Sequence, residues 1–194
     1  MLPATVEARL AALPSGLRDH VERCRRVARE LAQRHGVDLH KADLGTAAHD
    51  IARAVTGDVL LAEAERLGLR VNLVERHTPL LMHGRVGAKW LETEDGVSDR
   101  EILEAVRWHT TGRKDMGVVA KVVFLADKLD PRKVERYPYL ERVALLAQDS
   151  LDAAILEYLS NELQYLLRQG LLIHPASVGL RNQLMVQMGP SPES

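Results

Sequence analysis

Two carboxylates stand where this chain should be burying apolar helix faces. Asp127 closes the run Val118–Val119–Ala120–Lys121–Val122–Val123–Phe124–Leu125–Ala126, and the pair His49–Asp50 follows Leu44–Gly45–Thr46–Ala47–Ala48. An unpaired buried carboxylate is costly, so the fold must bring each of them a cation. One buried metal site would serve both, which makes a metal-dependent hydrolase the leading expectation.

The rest of the pattern is helical. Leu17, Val21, Cys24, Val27, Ala28 and Leu31 recur at three- and four-residue steps, one face of a helix, and His20 points toward the same core. Gly36 is placed to end that helix in the left-handed conformation. Further helices are expected at Thr5–Leu13, stopping at Pro14, and at Leu39 to about Val55, with His49–Asp50 in its C-terminal half. Others are expected at Asp58–Leu67 and from His83 through Trp90. One more starts at a Ser98–Glu101 capping box and runs to His109. Gly117–Leu129 follows, stopped by Pro131, then Asp149–Gln169 and a last helix after His174–Pro175. No segment alternates as a strand, and with only 4% aromatic residues the core must come from Leu, Val, Ile and Ala. The expected fold is all-α, a single helical bundle over 17–188, with a lead-in helix in 1–16 and a disordered tail in 189–194.

Charge and cysteine content exclude other classes. A net charge of -1 argues against a surface built for nucleic acid. Cys24 is alone, so no disulfide framework is expected. No basic stretch leads into an apolar run at the N-terminus, and no segment reaches the ~18 apolar residues of a membrane span. A soluble, cytoplasmic protein is expected.

His20, His49, Asp50, His83, His109 and Asp127 all fall on helix faces or helix ends that could converge. Taken singly, each could be a hydrogen-bonded core residue; a shared metal site accounts for all six. Imidazole and carboxylate donors suit iron, manganese, zinc or cobalt, and magnesium less well. Four histidines and two carboxylates suffice for two ions, with Asp50 as the natural bridge. Beside His109, Thr110–Thr111–Gly112–Arg113–Lys114 offers hydroxyls, a flexible glycine and two cations, as a phosphate-binding turn would. From Arg107 to Arg136 there are eight Lys or Arg against four Asp or Glu. Arg113 is read as a phosphate ligand, Lys128 and Lys133 as a solvated face near a helix C-terminus, and Trp90 and Trp108 as core.

These stretches, namely Ala48–His49–Asp50–Ile51–Ala52–Arg53, Leu81–Met82–His83–Gly84–Arg85, Trp108–His109–Thr110–Thr111–Gly112–Arg113, Leu125–Ala126–Asp127–Lys128–Leu129–Asp130–Pro131–Arg132 and Ile173–His174–Pro175, resemble the HD-domain metal phosphohydrolases. Within them the chain is similar to the YqeK-type symmetrical diadenosine tetraphosphatases, from about Leu17 to Leu184. The resemblance implies an iron-containing helical site in which His20, His49, Asp50 and Asp127 hold the first ion. His83 and His109 would hold a second ion or touch the substrate phosphates. It further implies that Arg53, Arg113, Arg132 and the turn around His174 line the nucleotide pocket; Thr110, from the phosphate-binding turn, is expected to bind substrate as well. Asp50 and Asp127 would act catalytically by orienting a metal-activated water toward a bridging phosphate, giving two ADP. Arg53 stands in place of the family's usual lysine, Lys114 in place of a small residue or proline, and Asp130 in place of glutamate. Other readings of the same ligands are a 5′-nucleotidase, a guanosine tetraphosphate hydrolase or a non-catalytic nucleotide sensor.

Overall fold

A computed structural model describes residues 2–189. Among them are twelve α-helices and no strand: α1 (Ala4–Ala12), α2 (Ser15–Arg34), α3 (Leu39–Ala48), α4 (Gly57–Arg66), α5 (Leu73–His77), α6 (His83–Thr93), α7 (Arg100–Trp108), α8 (Val118–Lys128), α9 (Pro131–Arg136), α10 (Tyr139–Leu146), α11 (Leu151–Arg168) and α12 (Pro175–Met188). The tail expected at 189–194 lies outside the described residues beyond Gly189.

The apolar run that carries Asp127 becomes the central helix. α8 packs against α2, α3, α7 and α11, and every residue from Val122 to Lys128 is buried. A helix that is apolar all round has no solvent face to spare. Phe124 is fully buried at its middle; truncating such a side chain to alanine typically costs ~3–5 kcal/mol. α2 shows the contrasting pattern, burying Val21, Cys24, Ala28, Leu31 and Ala32 while Arg18, Arg26, Arg29 and Arg34 remain exposed. Gly36 takes the left-handed conformation (φ 64°) after it, as its position suggested. α1 is more than a lead-in: Val6 is fully buried in a cluster with Leu44, Ala48 and Leu91.

Several boundaries differ from the sequence expectation, each for a local reason. α3 ends at Ala48, not near Val55, because the His49 ring Nδ1–H donates to the Thr46 carbonyl at 2.6 Å. That carbonyl is the one a continuing helix would offer to the Asp50 amide. Tighter i→i−3 bonds follow, Ile51 to Ala48 and Arg53 to Asp50, so His49–Asp50 sits on a turn leaving the helix. Asp99, not Ser98, caps α7, accepting from the amides of Glu101 and Ile102. Pro131 opens α9 instead of merely stopping α8, since a proline at the first helical position has no amide to leave unsatisfied. α5, α9 and α10 and the 3-10 turn Pro79–Met82 were not anticipated. All are short, at most eight residues, too little chain for a periodic signal.

Candidate metal centre and nucleotide cavities

Three histidines present their rings by one repeated device. His49 Nδ1 lies 2.6 Å from Thr46 O, His83 Nδ1 2.5 Å from Leu80 O, and His109 Nδ1 2.8 Å from Val106 O. Each ring donates to the carbonyl three residues before it, at the end of a helix or 3-10 turn. That bond places the proton on Nδ1 and leaves the Nε2 lone pair facing inward. Gly84 lets two of the rings meet: a Cβ there would lie 2.8 Å from Val106 O and 3.0 Å from the His109 ring.

The lone pairs converge on the two aspartates. Asp50 Oδ1 is 3.1 Å from His83 Nε2 and 3.6 Å from His109 Nε2. Its Oδ2 is 3.6 Å from His49 Nε2 and 3.8 Å from His20 Nε2. Asp127 Oδ1 is 3.2 Å from His20 Nε2 and 3.9 Å from His49 Nε2. Asp50 thus spans two groups of donors, His20, His49 and Asp127 on one side and His83 and His109 on the other. His20 is set by a second carboxylate, its Nδ1 2.6 Å from Asp130 Oδ2, while Arg23 grips both Asp130 oxygens.

This donor set fits a cation. His49 Nε2 is buried and has no hydrogen-bond partner, although two carboxylates lie within 4 Å of it. His83 Nε2 and His109 Nε2 are 2.9 Å apart, so neutral rings meet lone pair to lone pair unless a positive charge sits between them. Backbone carbonyls and Asp130 holding the far nitrogens are the outer-shell support that metal-bound imidazoles use. Burial lowers the pKa of His49 and takes that of His109 down to about 4 against the pull of Asp50, so both rings are neutral near pH 7. Burial also opposes a charge on His20, but Asp127 and Asp130 override it and raise its pKa to about 11. Burial would raise Asp127 too; Lys128 and Lys133, with His20, hold it well below the usual carboxylate range.

The cluster forms the floor of a cavity of about 410 Å³. Arg53, Thr110 and Lys133 stand in its wall with His20, His83 and His109, while His49 is buried beneath. Through Thr78, Leu81 and Thr110 it adjoins a second cavity of about 680 Å³, rich in leucine and bounded by His174. His174 Nδ1 accepts from the Ala176 amide, which turns its Nε2 toward Glu75 at 3.5 Å. Glu75 is buried in a capping box with Asn72 and receives Arg85 at 2.7 Å. Burial would raise its pKa, yet His174, the Asn72 amide and Arg85 bring it down to about 2. The spacing Asn72–x–x–Glu75 is a legible capping signature that the sequence reading passed over.

Two expected phosphate ligands are not brought to the cavity. Arg113 pairs with Glu104 at 3.2 Å and lies over the Trp108 ring, in a shallow recess with Arg100 and Arg107. Arg132 is exposed on α9, and only its amide reaches inward, to Asp130. One residue on, Lys133 turns in and donates to Asp127 Oδ1 at 2.6 Å. Lys128 is buried, donating to Asp127 Oδ2 at 2.6 Å and to His109 O at 2.9 Å. Neither lysine is the solvated charge expected of it. Trp90 and Trp108 are half-buried and line neither the metal cavity nor the leucine-rich one.

Comparison with known proteins agrees with this geometry. A family model described as HD domain matches residues 17–132, which include the six clustered histidines and aspartates. The chain belongs to the HD-domain family. It is 32% identical to the symmetrical bis(5'-nucleosyl)-tetraphosphatase of Halalkalibacterium halodurans, over 81% of this chain and 83% of that protein. It is also 32% identical to the protein of the same name from Bacillus subtilis, over 75% of this chain and 77% of that one. The fold matches the crystal structure of a Clostridium acetobutylicum protein described as a predicted HD superfamily hydrolase involved in NAD metabolism, with a TM-score of 0.89 and 23% identity over 95% of this chain and 97% of that one. HD-domain membership carries divalent metal binding with it.

Proposed function

We propose that this HD-domain protein is a metal-dependent hydrolase that cleaves diadenosine tetraphosphate symmetrically: water adds across the central phosphoanhydride and two ADP leave. The observation that carries the reading is the buried, unpartnered lone pair of His49 Nε2, held between two carboxylates at the base of a cavity. Such a group makes physical sense as a metal ligand. The names of the two relatives at 32% identity supply the substrate.

In this reading His20, His49, Asp50 and Asp127 hold one ion, and Asp50 with His83 and His109 holds a second. The mixed imidazole and carboxylate set suits iron, with manganese, cobalt or zinc as substitutes. Bound metal supplies an acidified water and neutralises charge on the phosphoryl oxygens. The chain does the positioning that phosphoryl transfer chiefly requires. Asp50 and Asp127 orient the nucleophile, with Asp127 fixed in place by Lys128 and Lys133. Arg53 and Lys133 in the cavity wall meet the phosphates, and the Thr110 hydroxyl, 3.1 Å from His109 Nε2, faces the same space. The leucine-rich cavity beside His174 takes one nucleoside. We take the functional domain to run over 17–188, because α11 closes the core against α8 beyond the matched segment. A cytoplasmic location suits a nucleotide substrate, and among the described residues no helix is long and apolar enough to cross a membrane.

The test is product analysis by ion-exchange chromatography after anaerobically iron-loaded protein meets diadenosine tetraphosphate. ADP as the sole product is expected. AMP with ATP would sink symmetrical cleavage, and no turnover at all would sink the enzyme reading.

A further inference from the structure

All four tyrosines of the chain, Tyr137, Tyr139, Tyr158 and Tyr165, line one cavity of about 650 Å³. In a protein with only 4% aromatic residues, all four gather at one site, Tyr139 and Tyr158 also packing against the core. Three of the rings form a series, with centroids 6.5 Å apart from Tyr137 to Tyr139 and 6.4 Å from Tyr139 to Tyr158. Tyr137 and Tyr165 remain exposed at 43% and 55%, a large aromatic area left facing water.

The cavity's position gives it meaning. Lys133, which donates to Asp127, lines both this cavity and the metal cavity. Lys128, Tyr158 and Glu162 form a ridge shared with the leucine-rich cavity. Lys133 thus joins the metal cavity to the tyrosine cavity, as Thr78, Leu81 and Thr110 join it to the leucine-rich one. A substrate cut in the middle has a nucleoside on each side of the scissile bond, and the one already assigned leaves a second without a place.

Resting on the proposed function, we infer that the tyrosine-lined cavity holds the second nucleoside of the dinucleoside polyphosphate. Every nucleobase offers a face on which an aromatic ring can stack, so this recognition tolerates different bases. Asn161, Gln164 and Gln169 in the wall supply amides for base or ribose edges. Lys133 meets the phosphate that joins this half to the reacting centre.

The experiment compares diadenosine tetraphosphate with adenosine 5′-tetraphosphate, which lacks the second nucleoside. Tyr139→Ala and Tyr165→Ala should each lower the ratio of kcat/KM, dinucleotide over mononucleotide, roughly tenfold and chiefly through KM. Tyr139→Phe, which keeps the ring, should preserve the ratio. By equilibrium dialysis the unmodified chain should take up two ADP and the Tyr139→Ala variant one. An unchanged ratio in both alanine variants, or a single ADP bound by the unmodified chain, overturns the inference. An unmodified enzyme that cleaves neither compound fails the proposed function instead, and the dialysis result still decides whether the second cavity binds a nucleotide.

Discussion

Two basic clusters lie within about twenty residues of each other in sequence and have different partners in the structure. Arg107, Arg113 and Lys114 surround the end of α7, and Lys128, Arg132 and Lys133 surround the end of α8. The first looks the better phosphate site, with threonines and a glycine beside it. In the structure it is the second that faces the cluster of histidines and aspartates. Arg113 rests on Glu104 and Trp108, half-exposed, whereas Lys128 and Lys133 converge on Asp127. The lesson is that a cation goes where an otherwise uncompensated buried carboxylate needs it. Asp127 is buried at the end of a helix, where burial disfavours its charge, so nearby ammonium groups are drawn in. Arg113 has the half-buried Glu104 within reach and stays outside, itself half-exposed.

The largest expected effect tests whether the Asp127 end is the reacting end at all. His49→Ala should lower turnover roughly a thousandfold or more, the scale of several kcal/mol of metal-supplied stabilisation, while circular dichroism remains helical. Full activity in that variant would place the chemistry elsewhere. Next comes the support of that end. Asp130→Ala frees His20 Nδ1, and the affinity for manganese, measured by calorimetry, should fall about 10–100-fold as other outer-shell losses do. An unchanged affinity would mean that Asp130 serves only the ion pair with Arg23. The smallest effect is the most direct contest between the clusters. Lys133→Met should lower kcat/KM for diadenosine tetraphosphate about tenfold, a charge-assisted contact's worth, and Arg113→Met less than about twofold, as for a surface pair. The reverse ranking would restore Arg113 as the phosphate ligand.

Much of the fold was legible where the pattern was long. α2, α8 and α11 follow from apolar residues at helical spacing, and α8's buried character follows from an apolar run with no polar face. The six histidines and aspartates were legible as well, because metal-type side chains interrupt apolar stretches that have no structural use for them. The expected turn and the expected arginines fared differently. α9 is six residues long, and whether Arg132 or Lys133 faces inward depends on how Pro131 starts that helix. A shift of one helical position rotates a side chain by about 100°, enough to exchange an inward cation for an exposed one. Asp130, read only as a shorter substitute for glutamate, turns out to orient His20.

By itself, then, the sequence determined the helical class, the central apolar helix and the set of histidines and aspartates that cluster, since periodicity and side-chain chemistry are local properties. Only the tertiary structure decided which nitrogen each histidine offers, which lysines neutralise Asp127 and that four tyrosines share one cavity. Those are matters of distance between segments far apart in the chain, set by how helices pack and where their ends turn, and no window of sequence carries them.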